Sequence, residues 1–375
     1  MELFRNGILT LLLIAFGARD HVAAADDFRS LFNGKDLTGW VLVNTPKETW
    51  SVQNEMLVCT GKPIGEIRTE KMYQNFILEV EWRHMVPGGN AGIFVWADDI
   101  TAKGVPFHRS VEVQVLDHGY GQGKGHTTHG DIFPIHGATM VPLNGRGGSR
   151  AFPTEERAKP SPEWNHYRIE CRDGSISLAV NGKVVTQGKD ASPRKGYICI
   201  ESEGGVVHYR NLKIQELPDT PVANEHVAIA NRGFRSFYNG LNLDGFTVSA
   251  EGQKHWKAND WVLSYDGGTE DAKAAMLKSS ERIKDRGFIV DIHPKEGFDG
   301  VAVSGMILPV KLLKAGQWSR VEVTVNGGKM DVRINGERVS KDNDFAESSL
   351  FELDVVGPAD FANFYVRDLP KDNIR

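Results

Sequence analysis

Short alternating runs dominate this chain. Phe76, Leu78, Val80 and Trp82 take every second position, and Glu79, Glu81 and Arg83 fill the gaps between and after them. Further on, Ile93 and Val95 oppose Gly92, Phe94 and Trp96, and Val111, Val113 and Val115 oppose His108, Ser110, Glu112 and Gln114. A period of two is that of a strand with one face on a core. Runs at 167–171, 176–180, 197–200 and 206–214 have the same character, and Gly, Pro, Asn or Asp bound most of them. No stretch keeps a helical period for long. The pattern predicts an all-β protein built as an antiparallel sandwich or jelly roll.

The pattern also occurs twice. FRSLFNGKDLTGW from Phe28 returns as FRSFYNGLNLDGF from Phe234, and a Trp, a strand, a glycine turn and a second strand ending in Asn-Gly recur from Trp164 and Trp318. Asn181-Gly182 and Asn335-Gly336 are two-residue hairpin signals. Two tandem sandwiches are therefore expected, at 26–217 and 233–370. The Pro-containing stretch and small-residue run of 218–232 are read as a linker. Residues 1–25 read as an export signal, with Arg5, an apolar run from Ile8 to Phe16, and Ala23 and Ala25 at the small-residue positions before cleavage. That run is too short to span a bilayer comfortably, so no membrane partner is expected after cleavage and an exported, periplasmic or secreted location is.

Composition changes this picture little. The 375 residues suit two domains, and 40 glycines, above the usual share of roughly 7%, fit many tight turns. A net charge of -5 offers no basic surface for a nucleic-acid partner. Cys59, Cys171 and Cys199 are too few and too separated for a disulfide framework or zinc ribbon, and read as small buried hydrophobes, with one Cys171–Cys199 bridge open.

Chemistry concentrates in the stretch from Arg109 to Pro142. Its alternating strand carries Glu112 and Gln114 and runs into a glycine-rich loop holding Asp117, His118, His126, His129 and Asp131. The loop permits metal binding, with His126, His129 and Asp131 as ligands and Asp117 and His118 able to complete the shell. It also permits general acid–base catalysis, or a plain polar loop. If the three strands share one sheet, its outer face joins Glu81, Arg83, Phe94, Trp96, His108, Glu112 and Gln114. Aromatic faces beside carboxylates and amides suit a sugar. Cross-strand charge pairing is the plainer account of Glu81 and Arg83.

The segments LFNGKDLTGW, GNAGIFVW, VEVQVLD, GDIFPI and EGGVVHYRNLKIQEL, in this order between Asp26 and about Leu217, together resemble the 3-keto-disaccharide hydrolase domain, also described as 3-keto-glucoside 1,2-lyase/3-keto-2-hydroxy-glucal hydratase. The resemblance implies a concanavalin A-like jelly roll acting on oxidised (3-keto) sugars. Trp96 departs from it, where many relatives carry Arg. A ketone at C3 acidifies the C2 proton, so such a site needs a base, a hydrogen-bonding or cationic group for the enolate oxygen and an acid for the leaving group. Glu112, His118 and His129 are candidates for proton transfer, Gln114 for orienting the sugar, and Asp117 for fixing a histidine tautomer or holding a metal. The sequence requires no cofactor, and a divalent metal would act as a Lewis acid. The rival class is a non-catalytic carbohydrate-binding, lectin-like module. The second copy keeps the scaffold but offers Asp291 and His293 where a Glu-x-Gln pair would stand, so it reads as a degenerate copy.

Overall fold

The computed structural model describes residues 27–120, 129–230, 233–268, 276–344 and 350–370. The expected export signal, residues 1–25, lies outside them. The described residues contain strands and short 3-10 turns, with no α-helix, and no helix is long and apolar enough to cross a membrane.

The first half holds β1 (Arg29–Ser30), β2 (Trp40–Val43), β3 (Trp50–Gln53), β4 (Met56–Cys59) and β5 (Gly65–Thr69). It continues with β6 (Phe76–His84), β7 (Asn90–Ala97), β8 (Ser110–Leu116), β9 (Ile132–Ile135) and β10 (Thr139–Pro142). It closes with β11 (Asn165–Arg172), β12 (Ser175–Val180), β13 (Lys183–Ser192), β14 (Tyr197–Ser202) and β15 (Val207–Glu216). One sheet runs β10-β13-β12-β11-β6-β15-β4-β3 with β1 on β15, and the other runs β2-β5-β14-β7-β8-β9. Every pairing between these strands is antiparallel. The inward sets Phe76, Leu78, Val80 and Trp82 from one sheet and Val111, Val113 and Val115 from the other meet in a single core.

The second half holds β16 (Arg235–Ser236), β17 (Phe246–Thr247), β18 (Trp256–Asn259), β19 (Val262–Tyr265), β20 (Leu277–Arg282) and β21 (Arg286–Pro294). After these come β22 (Gly300–Val303), β23 (Met306–Ile307), β24 (Ser319–Asn326), β25 (Lys329–Ile334), β26 (Glu337–Asp344), β27 (Leu350–Val356) and β28 (Ala359–Asp368). Its sheets run β26-β25-β24-β21-β28-β19-β18, with β16 on β28, and β17-β20-β27-β22-β23. Strand for strand this is the order of the first half, short of partners for β9 and β10. It encloses its own core. The chain is thus all-β, two jelly-roll sandwiches in succession.

The local reasons match as well. Asn33 Oδ1 accepts from the amides of Lys35 and Asp36 at 2.8 and 2.9 Å, and Asn239 Oδ1 accepts from Leu241 and Asn242 at 2.8 and 3.1 Å. Asn181 and Gly182 have φ of 47° and 87°, Asn335 and Gly336 of 51° and 84°, the paired positive values a tight hairpin turn requires. The stretch read as a linker is pinned to the first sandwich: Ala228 N donates to Lys195 O at 2.7 Å and Ile229 N to Asp98 Oδ1 at 2.8 Å. All three cysteines are buried and free, so the open Cys171–Cys199 bridge is not formed.

The sandwiches touch through a small apolar cluster of Val43, Ile100, Phe234, Ile289 and Tyr365. Polar contacts hold the loop between β7 and β8 against the second sandwich. Asp291 Oδ2 accepts from Gly104 N at 2.8 Å, Arg320 Nη2 donates to Thr101 O at 3.0 Å, and Asn363 Nδ2 donates to Ala102 O and Val105 O at 3.0 and 3.1 Å.

Candidate active site

With Val111, Val113 and Val115 packed inward, β8 turns Glu112 and Gln114 to the outer face of the six-stranded sheet. Glu112 pairs with Phe94 of β7 on one side and Phe133 of β9 on the other. On β14, Ile198 and Ile200 face the core, so Cys199 and Glu201 share the face with Glu112. Gly92 lies between the two acids. A β-carbon there would sit 2.9 Å from Oε1 of Glu112 and 3.0 Å from Oε2 of Glu201, so a side chain would push the two carboxyls aside.

Glu112 and Glu201 are almost wholly buried. Burial, reinforced by the nearby Glu203 carboxylate and opposed by Arg150, pushes the Glu112 carboxyl up to about 8. Burial and then the charge of Glu112 hold Glu201 well above the ordinary carboxyl range. Burial also raises Glu203, against hydrogen bonds from Glu201 and Asn90 that favour its charged form. Carboxyls pushed up in this way can both give and take a proton near neutrality.

Polar neighbours fix this group. Gln114 Nε2 donates to Asn90 Oδ1 at 2.8 Å and to Ala91 O at 3.2 Å, and Asn90 Nδ2 donates to Glu203. Arg150 Nη1 donates to Asp131 Oδ2 at 3.2 Å, and its guanidinium carbon lies 3.4 Å from the centre of the Phe133 ring. Beneath the acids, His108 and Glu66 face each other as a fully buried pair, with Cys199 Sγ 3.8 Å from His108 Nδ1.

A second cluster stands at the far end of β8. His118 Nδ1 and His129 Nε2 approach the same Glu156 Oε1 at 2.6 and 3.1 Å, and the two rings stack with centres 4.0 Å apart. Burial, followed by the neighbouring His118, lowers the pKa of His129.

Residues 27–215 match the 3-keto-alpha-glucoside-1,2-lyase-like domain, half of the chain. The chain belongs to that family. A 3-keto-disaccharide hydrolase of Bacteroides thetaiotaomicron is 24% identical over 245 residues, covering 52% of this chain and 79% of the relative. A solved Parabacteroides distasonis protein assigned as a glycosyl hydrolase is 27% identical, over 51% of this chain and all of its own, with a TM-score of 0.39. A carbohydrate-binding module of Bacillus subtilis is 11% identical, over 48% of this chain and 96% of its own, with a TM-score of 0.34. Family and curated relative support a carbohydrate-active, 3-keto-disaccharide hydrolase-like function.

Within this lyase-like domain several expectations need correction. The three alternating strands do not share a sheet. β6 lies across the core from β7 and β8, so its polar face points the opposite way, and Glu81 and Arg83 sit far from Glu112's face. There Arg210 Nε binds Glu81 at 2.7 Å, and Arg83 and Arg210 lie over the Trp164 ring at 4.6 and 4.0 Å, lining an open groove of about 580 Å³. Glu81, beside the groove, is held charged by Asn211 and Arg210 against its burial, which does not suit proton transfer.

Trp96 is also misplaced by simple alternation. A register shift where β14 pairs with β7 and a φ of 57° at Trp96 turn its ring into the core, where its indole N–H donates to Gln74 O at 2.8 Å. A cation does stand on the Glu112 face, the guanidinium of Arg150. Phe94 keeps its place beside Glu112 but is fully buried, edge-on to Phe107 at 5.5 Å, and His108 is sealed against Glu66. Neither has surface to offer a sugar.

Asp117 is occupied with the backbone. Its oxygens accept from the amides of Gly88, Gly119 and Ser161, each at 2.8 Å, and these bonds hold it below the usual carboxylate range against its burial. Among the described residues it orients no loop histidine; Glu156 meets both His118 and His129. Of the metal set His126, His129 and Asp131, Asp131 meets Arg150 while His129 faces His118 and Glu156. His126 lies outside the described residues. Sequence reasoning missed Glu201, Glu203, Arg150 and Glu156. For Glu201 the signal was present: Ile198 and Ile200 alternate with Cys199 and Glu201 as the β8 valines do with Glu112.

Proposed function

We propose that the first sandwich cleaves 3-keto-glycosides by elimination and rehydration, with Glu112 as base. The observation that carries this is the convergence of Glu112 and Glu201 over Gly92, which supplies one carboxyl titrating near neutrality and one held protonated. A 3-keto sugar needs no strong base, because its ketone makes the C2 proton acidic. Glu112 takes that proton, and the C2–H electron pair forms the enolate, whose oxygen Arg150 neutralises. The enolate then forms the C1–C2 double bond as the C1–O bond breaks, and the leaving oxygen takes the Glu201 proton. Water adds at C1 and C2 regains a proton, so the net change is hydrolysis without an oxidant or reductant. Gln114, fixed by Asn90, positions the sugar.

Such an enzyme suits an exported protein meeting oxidised sugars or glycans outside the cytoplasm. The experiment is to incubate the purified chain with 3-keto-sucrose, 3-keto-trehalose and their unoxidised parents. Turnover of keto sugars alone, lost on the order of 10³-fold in Glu112→Gln with folding intact, is expected. Binding of ordinary glycans without turnover would instead establish the lectin-like reading.

A further inference from the structure

The cluster of His118, His129 and Glu156 has no part in the proton transfers proposed at Glu112, and it gathers two imidazole nitrogens and a carboxylate oxygen at one point. His118 Nε2 lies 2.7 Å from Ala158 O. A carbonyl only accepts, so this nitrogen carries a proton, and Nδ1 is the atom turned to Glu156 Oε1, 2.6 Å away. That contact forms with a proton on Nδ1, or with its lone pair on a metal ion that the carboxylate also binds. His129 Nε2 is aimed at the same oxygen from 3.1 Å.

A protonated His118 and a neutral His129 N–H would satisfy the oxygen without a metal, and both nitrogens can exchange those protons for a metal ion. One divalent ion satisfies all three groups at once. We infer that His118 Nδ1, His129 Nε2 and Glu156 Oε1 form a binding site for one divalent transition-metal ion of the zinc class. The three ligand atoms lie within 4.8 Å of one another. Two imidazoles and one carboxylate are a ligand set that zinc accepts with a further position open. The bond from the distal nitrogen of His118 to a backbone carbonyl is the outer support that metal-binding histidines commonly have. His129 is buried, whereas His118 and Glu156 are partly and half exposed, which leaves an entry path from solvent. This set shares His129, and His118 from the wider shell, with the one drawn from sequence spacing.

The test is titration of the chelator-treated, full-length protein with Zn²⁺ by calorimetry, with Co²⁺ as an optical probe. One zinc per chain is expected, with visible d–d absorption from bound cobalt. His118→Ala and Glu156→Gln should each weaken zinc at least roughly tenfold and remove the cobalt band. Glu156 is exposed enough for its substitution to leave the fold intact, which circular dichroism checks. Absence of stoichiometric binding, or equal affinity in both variants, would overturn the site. Metal content is read without turnover, so this inference and the role of Glu112 can fail independently.

Discussion

At the scale of single residues, the chemistry depends on what each carboxyl is allowed to touch. Asp117 and Glu112 stand five positions apart and reach opposite states. Three backbone amides hold Asp117 charged, while burial among other acids holds Glu112 protonated up to about 8. A base must be ionised to work, so kcat/KM for a 3-keto-glycoside should rise with pH and level off above about 8, and the profile should lose that limb in Glu112→Gln. Stability runs the other way. The folded chain keeps a proton on Glu112 that an unfolded chain releases near 4.5, so this group's stabilisation is full below that value and is lost as pH rises through about 8. Both acids were equally prominent in the sequence. What separates them is the company of Gly88, Gly119 and Ser161 against that of Glu201 and Glu203, contacts between distant segments that no local pattern records.

At the scale of elements, the alternating runs were legible because a period of two has one physical cause. The observed strands coincide with the expected ones to within a few residues, and the Asn-Gly turns sit where they were read. Assignment to sheets was not legible, because β6 and β8 present the same alternation from opposite sides of one core. Trp96 escaped because a bulge reverses phase without changing composition. The loop from Asp98 to His108 is the element on which the two sandwiches meet. Its Phe107 covers Phe94 and its His108 holds Glu66, while Asp291, Arg320 and Asn363 of the second sandwich grip Thr101, Ala102, Gly104 and Val105. Gly104, at φ 75°, lies too close to Trp318 for any β-carbon. Asp291→Asn weakens the buried pair with Arg320 and should cost about 3 kcal/mol. Hydrogen exchange should quicken at the amides of 101–105 while β8 stays protected. Unchanged exchange there would mean the second sandwich does not hold the loop.

At the scale of the whole molecule, two sandwiches share one strand order, yet the paired buried acids belong to the first. The second keeps the entry turn and the hairpin, and its Asp291 lies on β21, the counterpart of β6 rather than of the Glu112 strand that the sequence suggested, where it anchors the sandwich on its neighbour. The duplication was readable from the repeated FRS and Asn-Gly segments; that the second copy grips the loop beside the first copy's acids was not, since the contacts join residues some 190 to 260 positions apart. The account rests on abstraction of the C2 proton by Glu112. Turning over a 3-keto-disaccharide in deuterium oxide and locating deuterium in the released 3-keto-glucose by NMR tests that step directly. Deuterium at C2 is predicted, absent with Glu112→Gln; cleavage that leaves C2 fully protonated would contradict it.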